Sequence, residues 1–248
     1  MDMDSVYSLG PTVLGLISAL AIAGYCWNRM RIASLAILLW IGAAILIGQF
    51  PIFPNRYEKH AADWIPFLTF GTLAFAPSAL LLIAALRVDK AKTAMADIPS
   101  SVLVMTQAYR IGGIFLIMAY LRGDLPAEIG LVSGVLDVLV AISAIALAFY
   151  LRRSESRSPR LVIAWAVLSL MDFGWATLMK FASFFGFLEL SPAPMMLGNP
   201  PLLIISLFAL PFGIFISVYV IIRSRKSAGP SATSASPAHT RSPSSSAP

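Results

Sequence analysis

Residues 102–150 read VLVMTQAYRIGGIFLIMAYLRGDLPAEIGLVSGVLDVLVAISAIALAFY. Two apolar runs of about 20 residues flank the polar turn Arg122-Gly123-Asp124-Leu125-Pro126, and 20 residues is what an α-helix needs to cross about 30 Å of hydrocarbon. Each run holds one charge, Arg110 in the first and Asp137 in the second. An ionised side chain inside a bilayer is costly, so two such charges on neighbouring helices read as partners. This stretch makes the fold an all-α, polytopic transmembrane bundle. β-Barrel spans would be about 10 residues long and would alternate in polarity, which these do not.

The same pattern extends through the chain. Apolar residues are 58% of the 248 and charged ones 12%, outside the range of soluble domains. Seven spans are predicted, at about 11–27, 32–50, 65–86, 102–121, 129–150, 161–180 and 202–222. They form one membrane domain over 1–226. The Ser/Ala/Pro-rich segment 227–248 is predicted to be a disordered cytoplasmic tail, because it has too little apolar bulk to offset the entropy of ordering. The first run follows Asp2 and Asp4 with no basic residue before it, so it is read as a mature span and not as a signal peptide.

The net charge of +6 does not point to nucleic acid, because the basic residues cluster just beyond the spans. The loops after spans 1, 3 and 5 and the tail hold 13 Lys and Arg, and the loops after spans 2, 4 and 6 hold three, Arg56, Lys59 and Arg122. The positive-inside rule then places the amino terminus outside and the carboxyl terminus in the cytoplasm of a bacterial inner membrane.

Several functions are excluded by what the spans lack. Cys26 is the only cysteine, so neither a disulfide nor a thiolate metal set can form within the chain. His60 and His239 both fall outside the spans, leaving no intramembrane pair for haem or a di-metal site. No cofactor and no metal are expected. The nucleophile, zinc-hydrolase and phosphate-loop motifs are missing, so the chain is read as a non-enzyme.

Arg110, Asp137 and Asp172 lie within about one helical turn of each other in depth, counting about 1.5 Å per residue from the span ends. On the fourth span Thr106, Gln107, Arg110 and Gly113 share a face, and on the sixth Ser169, Asp172, Ala176, Lys180 and Ser183 do. On the fifth, Gly130, Gly134, Asp137, Ala141, Ala144 and Ala148 make a small-residue stripe of the kind that lets membrane helices pack closely, within the chain or against a second copy. The candidate site is therefore a polar seam of Gln107, Arg110, Asp137, Asp172 and Lys180, whose four charges cancel when all are ionised. One reading makes it a structural ion network, with Lys180 reaching for the outer surface. The other makes it a site for a small anion, an ion or a proton, since two carboxylates beside one arginine leave one free to take up a proton.

Three motifs along this stretch, Gln107-Ala108-Tyr109-Arg110-Ile111-Gly112-Gly113, Gly123-Asp124-Leu125-Pro126 and Gly134-Val135-Leu136-Asp137, resemble a pattern found in uncharacterised bacterial multi-pass membrane proteins. The resemblance covers about residues 105–145 and carries no activity. It implies that Gln107, Arg110 and Asp137 belong together. The function expected is that of a small-molecule or ion transporter or membrane binding protein. The alternative is a scaffold or accessory subunit whose buried charges serve assembly alone.

Overall fold

The apolar stripes of the 127–153 segment set the architecture. Leu131, Val135, Leu139, Ile142 and Phe149 are exposed on one side of it, whereas Gly130, Gly134, Ala141, Ala144 and Ala148 are buried on the other. An apolar side turned outward is what lipid requires, and a small-residue side turned inward lets a neighbouring backbone approach. The computed structural model describes residues 3–28, 30–53, 64–153 and 159–227. Ser227 closes the last helix. The rest of the tail expected to be disordered lies outside the described residues, as do most of the loop before the third span and part of the basic loop at 151–160.

The described residues are mostly helical, with no strand among them. In order they form α1 (Met3–Cys26), α2 (Arg31–Ile47), α3 (Trp64–Arg87), the short α4 (Asp89–Ala96), α5 (Ser100–Met105), a 3₁₀ segment (Thr106–Gly112) and α6 (Gly113–Leu121). Then come α7 (Ala127–Gly130), α8 (Val132–Arg153), α9 (Pro159–Phe184), a 3₁₀ turn (Pro194–Gly198), a π-helical turn (Ile205–Ala209) and α10 (Leu210–Ser227). Six of the resulting segments are long and apolar enough to cross a membrane: Met3–Cys26, Trp64–Arg87, Ser100–Leu121, Ala127–Arg153, Pro159–Phe184 and Ile205–Lys226. The second expected span is shorter than its apolar run. α2 ends at Ile47, because Pro51 disfavours helical backbone at the residue before it, and its 17 residues reach about 25 Å.

α8 packs against α5, the following 3₁₀ segment and α6 on one side and against α9 on the other, while α9 packs on α10 and α10 on α3. α1 lies against α2 and the 3₁₀ segment, tied to α2 by Ser34 Oγ donating to Ala23 O at 2.9 Å. The approach of α6 to α8 is close enough that a Cβ on Gly113 would sit 2.5 Å from both Asp137 Cβ and Gly134 O. The chain's own helices therefore cover the small-residue stripe, and it is not a surface on which a second copy can dock.

Two apolar clusters form the core. One joins Leu103, Val104 and Tyr109 with Val140, Ala144 and Leu147 of α8, Val162 and Trp165 of α9, and Tyr219 of α10. The other joins Phe115 and Leu116 of α6 with Ile129, Phe67 and Phe70 of α3, Phe184, and Leu202 to Ile204. On each of the three central segments the charged residue, Arg110, Asp137 or Asp172, falls between its contributions to the two clusters. The first cluster lies toward the bundle end that carries Arg87, Arg152, Arg153, Arg225 and Lys226. At the opposite end Arg122 donates to Asp4 and lies 4.9 Å over the Tyr7 ring. The Asp4 hydrogen bond holds the exposed Arg122 guanidinium above its ordinary pKa.

Candidate functional site

The local winding around Arg110 departs from a regular α-helix. Residues Thr106–Gly112 are wound as 3₁₀, in which side chains three apart eclipse one another. Gln107, Arg110 and Gly113 thereby form one edge toward α8 and α9. The hydroxyl of Thr106 turns back onto Leu103 O at 2.7 Å. Such a stretch in mid-span often marks a hinge or a functional site.

Arg110 is 2% exposed, and most of its guanidinium donors have a partner. Nε donates to Asp137 Oδ1 at 2.5 Å, one terminal nitrogen donates to Asp172 Oδ2, and the other donates to Ser169 Oγ at 2.5 Å and to Ser169 O at 3.5 Å. Ser169 Oγ lies 3.0 Å from Ser217 Oγ, which brings α10 into the cluster. The Phe173 ring closes one face of the guanidinium, 4.0 Å from Cζ, an arrangement that favours a desolvated cation. A guanidinium suits this role because its planar fork addresses two carboxylates at once.

The polar seam divides at Lys180. Lys180 lies on the same face of α9 as Asp172, two helical turns on, and is 4% exposed. Its Nζ has no hydrogen-bond partner among the described residues. It sits instead 3.2 Å from the Phe70 ring centroid and 4.9 Å from that of Phe53. The long stem that could have reached the surface is turned inward. Gln107 is fully buried, and neither atom of its amide has a hydrogen-bond partner among the described residues. The neighbouring Tyr109 hydroxyl donates to Ala209 O at 2.6 Å. Gln107 is thus adjacent to Arg110 in the fold without bonding to it or to Asp137.

Sequence reading missed Phe173 and Ser217. Phe173 carried no signal among so many apolar residues. Ser217 could have been noticed as the one serine in the middle of an otherwise apolar run on α10. Trp40 of α2 also bonds to the π-helical turn before α10. Pro211 has no N–H to give to the carbonyl four residues earlier, and Trp40 Nε1 donates to that carbonyl, Leu207 O, at 3.1 Å. A π-helical turn at Ile205–Ala209 precedes the proline.

A cavity of about 80 Å³ reaches the cluster. Arg110, Asp137, Asp172, Ser133 and Tyr109 line it, together with Leu14 and Ser18 of α1. This is room for several waters. Two lining atoms, Asp172 Oδ1 and Ser133 Oγ, are buried with no hydrogen-bond partner among the described residues. A smaller space of about 40 Å³ beside Lys180 shares Ala176, Leu197, Ser206 and Leu210 with it as walls. The two buried sites are therefore neighbours separated by these four side chains. Chemically, the arrangement holds one guanidinium, two carboxylates and unused hydrogen-bonding capacity beside a small cavity.

A family model described as a domain of unknown function (DUF8737) matches residues 67–225, the greater part of the chain and all of the charged cluster. The chain belongs to that family. No curated protein and no solved structure matches it.

Proposed function

We propose that this member of the family is a membrane carrier or binding protein for an ion or small molecule, working through the Arg110, Asp137 and Asp172 cluster. The observation that carries the reading is the cavity at the cluster, lined by Asp172 and Ser133, whose Oδ1 and Oγ have no hydrogen-bond partner among the described residues. A purely structural ion network has no need of such a space, and buried polar atoms ordinarily find partners. Arg110 already spends its donors on two carboxylates and a serine, so the seam is better suited to a proton or a small cation than to an anion. One guanidinium between two ionised carboxylates leaves one negative charge uncompensated, and a proton on one of them or a cation beside them restores neutrality.

In this reading α2 also crosses, giving seven spans with the amino terminus outside and the basic end of the bundle in the cytoplasm. The setting is a bacterial inner membrane, and no catalysis is assigned. The alternative, an accessory subunit with a structural cluster, draws support from the near-complete pairing of Arg110.

The test is a melting-temperature scan of the purified protein from pH 5 to 8 against alkali, ammonium and small organic cations, with Asp172→Asn alongside. A ligand that binds only the folded state must raise the melting temperature. A rise in the wild type that disappears in a folded Asp172→Asn protein supports a site. If no cation shifts the wild type at any pH, and proteoliposomes show no proton or cation flux, the accessory-subunit reading replaces it.

A further inference from the structure

A second, larger space adjoins the cavity at the cluster, sharing Ser18 and Tyr109 as walls but none of Arg110, Asp137 and Asp172. It measures about 510 Å³, within the range of pockets that hold drug-sized ligands, and it is lined by residues of α1 to α5, the 3₁₀ segment and α10, with Arg152 of α8. Alanines stand among the larger apolar residues of its walls, including Ala21, Ala33, Ala84, Ala91 and Ala108. Small residues in membrane helices usually bring two backbones together. These instead face an opening, so the chain has left room where leucines would have closed it.

Water is a poor occupant. A buried water needs two to four polar partners, and several polar side chains along these walls are already committed to backbone carbonyls. Ser18 Oγ donates to Leu14 O at 2.7 Å, Thr106 Oγ1 to Leu103 O at 2.7 Å, Tyr109 to Ala209 O at 2.6 Å and Trp40 to Leu207 O at 3.1 Å. The occupant must be apolar over most of its length. The chamber also has a side open to hydrocarbon, because its lining residues Ile17 and Tyr25 are 59% and 43% exposed on the outer surface of α1. At its polar end stands Arg152, an exposed lining residue. Arg31, Arg87, Lys90 and Lys92 are exposed on the adjoining segments, against Asp89 and Asp97. α4 lays Ala91 and Met95 against the space and turns its lysines outward.

We infer that this chamber binds one anionic phospholipid from the bilayer, with an acyl chain in the apolar space and the headgroup phosphate at Arg152. None of Arg110, Asp137 and Asp172 lines the chamber, and the inference stands whether or not that cluster translocates anything.

Delipidated protein in detergent, titrated with phosphatidylglycerol or phosphatidylcholine and read by native mass spectrometry, tests it. The wild type is expected to take up one phosphatidylglycerol, preferred over phosphatidylcholine by about fivefold, the size expected for one basic residue at an anionic headgroup. Arg152→Gln, a change at an exposed position, should still bind lipid but lose the preference. Ala84→Phe with Ala108→Phe, which fills the space, should lose the bound lipid. A filled variant that melts like the wild type and still binds phosphatidylglycerol with wild-type affinity overturns the chamber. An unchanged preference in Arg152→Gln overturns the headgroup assignment. A fluorescence measurement covers the case in which the filled variant does not fold. Phosphatidylglycerol with brominated chains must quench a component that Trp40→Phe removes, because Trp40 lines the chamber; if the quenching is the same in both proteins, the site is lost.

Discussion

Arg110 and Lys180 are both buried basic side chains, 2% and 4% exposed, and both lie over aromatic rings, yet their polar surroundings differ. Arg110 is held by two carboxylates, a serine and the face of Phe173. Lys180 touches two phenylalanine rings and no hydrogen-bond acceptor among the described residues. The difference follows from the side chains. A guanidinium presents five donors in a plane and can be satisfied on several edges, whereas an ammonium is a compact point charge on a flexible stem. Arg110 is thus tied into the packing of three segments, and Lys180 is carried by one helix within a mostly apolar pocket. The first should be sensitive to change and the second tolerant of it.

The largest expected effect comes from Arg110→Ala, which leaves two carboxylates facing each other in an apolar core. It should cost about 3–5 kcal/mol in equilibrium unfolding in mixed micelles. Combining it with Asp137→Asn and Asp172→Asn should recover much of that loss. If Arg110→Ala costs no more than the corresponding change at Lys180, the contrast fails.

Next comes Gly113→Ala. Its methyl group would meet the α8 backbone at Gly134 O, which cannot rotate away as a side chain can, so overpacking should cost about 1–3 kcal/mol. The same experiment sharpens the comparison, since opening the α6–α8 contact should also weaken the ion pair to Asp137. Retention of full stability would mean that the helices have slack at this point.

Asp172→Asn keeps a side chain of the same shape and leaves one guanidinium with one carboxylate. A loss of about 1 kcal/mol is expected by the same unfolding assay, well below that of Arg110→Ala. A loss as large as Arg110→Ala would show that both carboxylates are needed for the fold.

The smallest effect is reserved for Lys180→Met, which fills nearly the same volume and removes a buried amine with no polar partner. Stability should change by less than about 1 kcal/mol, or rise. A loss of several kcal/mol would mean that the aromatic contacts alone hold the ammonium strongly, and would erase the distinction from Arg110.

Much of this was legible in the chain before folding. Runs of about 20 apolar residues can only be satisfied by helices in hydrocarbon, so the all-helical architecture followed from composition and length. Helical spacing put Arg110, Asp137 and Asp172 at one depth, and the small-residue stripe beside Asp137 marked the inward side of α8. Pro51 was visible too, but its effect in shortening α2 to Ile47 is a local steric matter that hydropathy does not report.

The sequence by itself determined which charges would have to be sheltered, because an unpaired ion in an apolar run is costly wherever the helices go. Only the tertiary structure decided how each is sheltered. Counting at 3.6 residues per turn cannot foresee that Thr106–Gly112 winds as 3₁₀, that Phe173 and Ser217 complete the shell around Arg110, or that Trp40 answers the carbonyl left open by Pro211. Nor can it separate Lys180 from Asp172, two turns apart on one face of α9, because their fates depend on which neighbouring helices lie against each turn. Those contacts join residues distant along the chain, and a linear pattern carries no record of them.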